Sequence, residues 1–140
     1  MKILLAVDGS PVSTQAARFA IKLVRHTSEP AQPVLFHADP PLLQAAAIKL
    51  GIDAVKRCHD ENSTSAIKAA RTWLNRAQVE FSELRVVAEP AEAIVQQAKK
   101  GRFDLIVMGS HGRGALKGLL LGSVAGKVIA HGDAPVTIVR

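Results

Sequence analysis

The chain has 140 residues, 48% of them apolar, and a formal net charge of +6. That length suits one domain, residues 1–140, with a core of its own, and the apolar share excludes a disordered tail. The single cysteine, Cys58, excludes an internal disulfide and any paired-cysteine zinc or redox motif, and it fits a reducing compartment.

The chain opens on "KILLAVD" (2–8), a short continuous apolar run of the kind buried on both faces of a sheet. Its five apolar residues before Asp8 are too few for a signal-peptide core or a membrane span, so a soluble cytoplasmic protein is expected. Ser10 and Pro11 read as the cap and first position of a helix over 11–25, with Val12, Ala16, Phe19 and Leu23 on its buried face. "VLFHA" (34–38) is a second strand, stopped by "DPP". Residues 42–58 have helical composition interrupted by Gly51. "DENSTS" (60–65) then offers several caps for a helix over 66–78.

"SELRVVA" (82–88) reads as a third strand, and Pro90 starts a helix that Gly101 should stop. "FDLIVMGS" (103–110) is a fourth strand, "LLLGSVAGKVIAHG" (119–132) a helix and "APVTIVR" (134–140) a fifth strand. Strands and helices alternate throughout. The expected fold class is therefore α/β, a mostly parallel sheet with helices on both faces.

Residues 107–124, "VMGSHGRGALKGLLLGSV", hold five of the ten glycines. They follow the fourth strand, where open α/β sheets bind ligands. A loop entering a helix presents unpaired amides and the positive end of the helix dipole. Glycines allow φ > 0 and a close approach of those amides to an anion. Ser123 adds a hydroxyl, and Arg113 and Lys117 add mobile positive charge. The stretch reads as a phosphate cradle. It is not a Walker loop, since Ala115 stands where lysine is needed, and GxGxxG fails too.

The spacing Gly109-x2-Gly112-x9-Gly122-Ser123 resembles the ATP-binding signature of the universal stress protein family. "ILLAVDGSPVSTQAARFAIKLV", "VLFHADP" and "LLLGSVAGKVIAHGDAPVTIVR" are similar to that family's opening, second strand and closing segment. The resemblance implies a three-layer Rossmann-like fold, a five-stranded parallel sheet of order 3-2-1-4-5, and a homodimer. The C-terminal strand, Pro135 to Arg140, would supply the dimer's exposed apolar edge. It also implies that adenine and ribose lie against Ala6, Asp8, Ala38, Met108 and Gly109. Phosphates would lie on Gly112, Arg113, Gly122, Ser123 and Val124, mainly through backbone amides. ATP is the expected ligand, with ADP or AMP as alternatives. Mg²⁺ would bridge Asp8 to a triphosphate that a bare carboxylate would repel.

This sequence has Ala38 where a valine is common, and Ala88 and Glu89 where glycine and an acidic residue are usual. Residues 39–62 do not align with the family's pattern. They are open to two roles, covering the nucleotide or shaping the dimer.

Among other residues, Asp8 has a plain alternative as a turn residue before Gly9 and Ser10. His37 reads as a satisfied, partly buried histidine. "CHDE" (58–61) sends neighbouring side chains in different directions, which disfavours a shared metal. The five aromatics, Phe19, Phe36, Trp73, Phe81 and Phe103, read as core and not as a platform for stacking bases.

The function that follows is nucleotide-dependent regulation through unknown protein partners, with binding as the primary act. A slow ATPase or self-phosphorylating enzyme on the same fold is the alternative, with no catalytic residue assigned. Nucleic acid, suggested by charge alone, ranks last, and no membrane partner is expected.

Overall fold

In this computed structural model, residues 1–114 and 120–140 are described. Lys2–Ala6 forms strand β1, and its apolar side chains are buried whichever face they point to. β1 lies at the centre. It pairs in parallel with β2 (Gln32–Asp39) on one side and β4 (Leu105–Gly109) on the other, with Leu4 opposite both Val34 and Ile106. β3 (Ser82–Val87) extends the sheet beyond β2, and β5 (Val136–Val139) beyond β4. The order is β3-β2-β1-β4-β5, all parallel, as expected from the resemblance.

Helices cover both faces. α1 (Pro11–His26) and α3 (Ile52–Arg76) bury Ala16, Ala20, Ile67 and Leu74 against Ile3, Leu5 and Leu35. α4 (Pro90–Gly101) and α5 (Ser123–His131) bury Ile94, Ala98 and Val128 against Leu4, Phe36 and Ile106. This is why β1 and β4 read as unbroken apolar runs, with no alternation to follow. A short helix α2 (Gln44–Leu50) packs on α3, and none of its residues is buried. No helix among the described residues is long and apolar enough to cross a membrane.

Several local expectations need correction. β1 stops at Ala6, which frees Asp8 for the turn, and β2 starts two residues early, at Gln32. Pro33 is tolerated there because β3 joins only from Val34 onward, so its missing N–H costs the β2–β3 ladder nothing. α1 buries Ser13, Ala16, Ala17, Ala20 and Ile21, a stripe rotated from the one expected, and Phe19 is surface-exposed. The small residues let α1 lie close to the sheet. Trp73 is exposed as well, with the Arg18 guanidinium 4.9 Å from its ring centre.

α3 runs unbroken through "DENSTS", where Asn62 and Thr64 make tertiary contacts and no residue caps a helix. Thr64, for example, accepts a hydrogen bond from Arg85. Gly51 separates α2 from α3 at φ +81°, with open space around it. Gly101 is the last residue of α4 and not its left-handed stop. Arg102 takes that conformation at φ 51°, while the Phe103 ring fills the space a Cβ at Gly101 would need. α5 begins at Ser123, so Leu120 to Gly122 are not helical, and the expected start at Leu119 falls outside the described residues.

Candidate functional site

The C-terminal ends of β1, β2 and β4 and the N-terminus of α5 enclose a cavity of about 560 Å³. Ala6, Ala38 and Met108 contribute buried apolar walls from three adjacent strands. Alternation places all three on the face covered by α4 and α5, where Pro90 and Ile94 complete the wall. Asp8, Gly109, Gly112, Arg113, Gly122, Ser123 and Val124 line the same cavity. The tertiary structure thus brings together all ten residues singled out in the sequence. Lys117 lies outside the described residues.

The glycines act through space and not through φ. Among the described glycines only Gly9 and Gly51 have positive φ, which corrects the expectation for the described glycines of the loop. A Cβ on Gly109 would come within 3.1 Å of the backbone of Val12 and Ser13, because α1 starts directly over the end of β4. One on Gly122 would come within 3.2 Å of the Ser110 carbonyl oxygen and His111 Cα. One on Gly112 would meet Asp8 Oδ2 at 3.0 Å.

The loop is pinned at Ser110. Its N–H donates to the Val139 carbonyl at 2.8 Å, and its own carbonyl accepts from Gly122 N–H at 2.7 Å. These two bonds fix where α5 begins. The ends of the other helices on this edge differ. Ser10 Oγ accepts from Ser13 N–H at the start of α1, and Glu89 accepts from Glu92 N–H at the start of α4. α5 starts after Gly122 with no side-chain cap, so its first amides face the cavity that Ser123, Val124 and Ala125 line. Uncapped amides at the positive end of a helix dipole are an anion site.

Asp8 combines both sequence readings. Oδ1 accepts from Ser10 N–H at 2.9 Å, the turn role, and Oδ2 lies against Gly112 in the cavity wall. Arg113 folds back over Gly9, whose missing side chain leaves room for the guanidinium beside Ala66 of α3. Ser110 Oγ and His111 Nδ1 are 2.7 Å apart.

A model of the universal stress protein family matches residues 1–140. The chain belongs to the universal stress protein family. A universal stress protein of Thermus aquaticus is 35% identical over 99% of this chain and 97% of its own length. The solved UspA of Lactobacillus plantarum superposes with a TM-score of 0.85 at 21% identity, over 100% and 97% of the two chains, and shares the fold. A universal stress protein solved in complex with cAMP superposes with a TM-score of 0.71 at 26% identity, over 100% and 97%.

Beside this universal stress protein cavity lies a polar cluster that sequence reasoning missed. Asp39, at the end of β2, is buried and lines the cavity. Its Oδ2 is 2.5 Å from His59 Nδ1 and 3.3 Å from Asn62 Nδ2, both on α3. His37 is more buried than expected. Its Nδ1 donates to the Val7 carbonyl at 2.8 Å, and Nε2 has no hydrogen-bond partner among the described residues. The sequence held one signal for this cluster, the acidic residue closing "VLFHAD". Its partners lie 20 and 23 positions downstream, in the segment for which the sequence resemblance implied no site residue. His59 turns inward from "CHDE" while Asp60 and Glu61 face solvent. Among the described residues no group of three or more His, Cys, Asp or Glu side chains could hold a metal ion.

Proposed function

We propose that this chain binds an adenosine nucleotide, ATP with Mg²⁺, and acts as a nucleotide-dependent regulatory module in the cytoplasm. The observation that carries this reading is the uncapped start of α5 at a cavity that also has an apolar wall. Such a site suits a ligand with an anionic end and a flat apolar end. Phosphates take the amides of Gly112, Gly122, Ser123 and Val124, with the Arg113 side chain swinging in. The base and sugar take Ala6, Ala38, Met108 and Gly109. The similar protein solved with cAMP supports an adenine ligand. ADP and AMP fit the same walls and are alternatives.

One oxygen of Asp8 is committed to the turn and the other faces the cavity. A single carboxylate oxygen suits Mg²⁺, which is held by one or two carboxylates together with phosphate and water. The ion would neutralise phosphate charge beside Asp8.

Binding and not turnover is the primary act in this reading. The ligand shifts the population of surfaces offered to a protein partner or a second copy through differential affinity. A slow ATPase or self-phosphorylating activity is the second reading, favoured by the Ser110–His111 contact in the cavity wall. Ser110 is 1% exposed, so its hydroxyl is better placed to orient His111 than to attack phosphate.

The deciding experiment purifies the protein without added nucleotide, denatures it and identifies any released small molecule. Mg-ATP is then titrated into wild type and Gly122→Val. Released adenine nucleotide, or saturable binding weakened about tenfold or more in the variant, supports the cradle. No purine nucleotide bound at about 1 mM removes the proposal. ADP release in the same titration, dependent on metal and lost in Gly122→Val, would move the protein to the second reading.

A further inference from the structure

Asp39 Oδ1 and His37 Nε2 form an acceptor pair at the cavity wall with no hydrogen-bond partner among the described residues. Both side chains are more than nine-tenths buried, and His37 Nε2 lies 3.9 Å from Asp39 Oδ1, beyond hydrogen-bond distance. The Val7 carbonyl can only accept, so His37 Nδ1 carries the hydrogen of that bond. In the neutral ring Nε2 then presents a lone pair. Asp39 Oδ2 is fully engaged by His59 and Asn62. Oδ1 carries no hydrogen bond among the described residues, yet Asp39 lines the cavity. His37 Nε2 is buried without a partner among the described residues, and Asp39 Oδ1 is an open charged acceptor in the cavity wall, which makes this corner selective for a hydrogen-bond donor.

The corner also lies at one end of the site. In the sheet β1 separates β2 from β4, so Asp39 sits across the cavity from the start of α5. A nucleotide with its phosphates at α5 extends its nucleoside toward β2. We propose that Asp39 Oδ1 accepts a hydrogen bond from a donor of the bound nucleoside, either the exocyclic amine of the base or a sugar hydroxyl. His59 and Asn62 are positioning residues that hold the carboxylate from α3. This rests on the adenosine-nucleotide reading above. It adds the group that decides which nucleoside is accepted, and it ties α3 to ligand recognition.

The test is a cycle between ligand groups and side chains, read as dissociation constants by titration calorimetry. The ligands are Mg-ATP, Mg-ITP, 2′-deoxy-ATP and 3′-deoxy-ATP. The proteins are wild type, Asp39→Asn and Asn62→Ala. In wild type the analogue lacking the recognised donor binds about tenfold weaker than ATP or worse, as expected for a hydrogen bond to a charged acceptor. In Asp39→Asn that penalty shrinks to within about threefold, and in Asn62→Ala it falls in between. Loss with ITP identifies the amine, and loss with a deoxy analogue identifies the hydroxyl. Where Asp39→Asn fails to fold or binds nothing, Asn62→Ala decides, since Asn62 is a surface residue.

Penalties equal in all three proteins, with ATP still bound, overturn the proposal and leave the cluster as a structural strut between β2 and α3. No ATP binding to wild type at all overturns the adenosine-nucleotide reading, and this proposal falls with it.

Discussion

A glycine can serve by its conformation or by its missing atoms, and the loop after β4 uses the second. Gly109 shows the distinction. The backbone of α1 stands where a Cβ would go, and backbone cannot step aside as a flexible side chain can. Gly109→Ala should therefore cost about 1–3 kcal/mol by overpacking, read as a lower urea midpoint with an unchanged slope. Gly114, with nothing within 4 Å, is the control, and Gly114→Ala should leave the midpoint unmoved. The sequence displays all these glycines alike. Which ones have a neighbour is settled by segments far away in the chain. Asp39 makes the same point for a charged residue. Its place at a strand end is legible, but its imidazole and amide partners come from another element.

At the scale of elements, the helices followed some local cap signals and departed from others where a longer helix or a tertiary contact outbid them. Ser10 and Pro11 start α1 as expected, with Ser10 Oγ bonded to Ser13 N–H. "DENSTS" fails to start a helix because α3 is already helical there and packs along the sheet. Gly51 does break the path, at φ +81° and ψ 162°, a region open to glycine almost alone. Gly51→Ala should cost about 1–3 kcal/mol although it meets no steric neighbour. α3 is also tied to the edge strand β3 by Arg71, which bonds Glu83, and by Thr64, which accepts from Arg85, while Arg85 also bonds Glu83 within β3. The Arg71 hydrogen bonds, more than burial opposes them, hold the Glu83 carboxyl below its ordinary value. A carboxyl lowered in the folded state adds stability above its unfolded value, and that stability fades as pH falls through the folded one. Glu83→Gln should thus cost up to about 1 kcal/mol at neutral pH. Wild type and variant should converge in denaturation curves taken below about pH 4.

For the whole molecule, the order β3-β2-β1-β4-β5 makes the chain reverse direction beside β1, and the crevice opens at that reversal. Ligand binding there is linked to global stability. Mg-ATP at a hundred times its dissociation constant should stabilise the protein by about 2.7 kcal/mol, seen as a rise in Tm that Gly122→Val lacks. β5 is an edge strand, and its ladder groups on the side away from β4 are open to a second copy. The proposed homodimer through Pro135 to Arg140 predicts a dimer in sedimentation at concentrations on the order of 10 μM. A monomer there would remove it.

The strand order was implied by the family resemblance, whereas the sequence by itself determined the strands, their mostly parallel sheet and the loop that would meet an anion. Each of these is written in short-range pattern: apolar runs, glycine spacing, and capping residues within a few positions of what they cap. Tertiary structure alone decided which face of α1 is buried, which glycines have no room for a side chain, and that His59 and Asn62 reach back to Asp39. Those outcomes depend on the distance between segments remote in the chain. Such distances are set by the packing of helices on a twisted sheet, which no local pattern encodes.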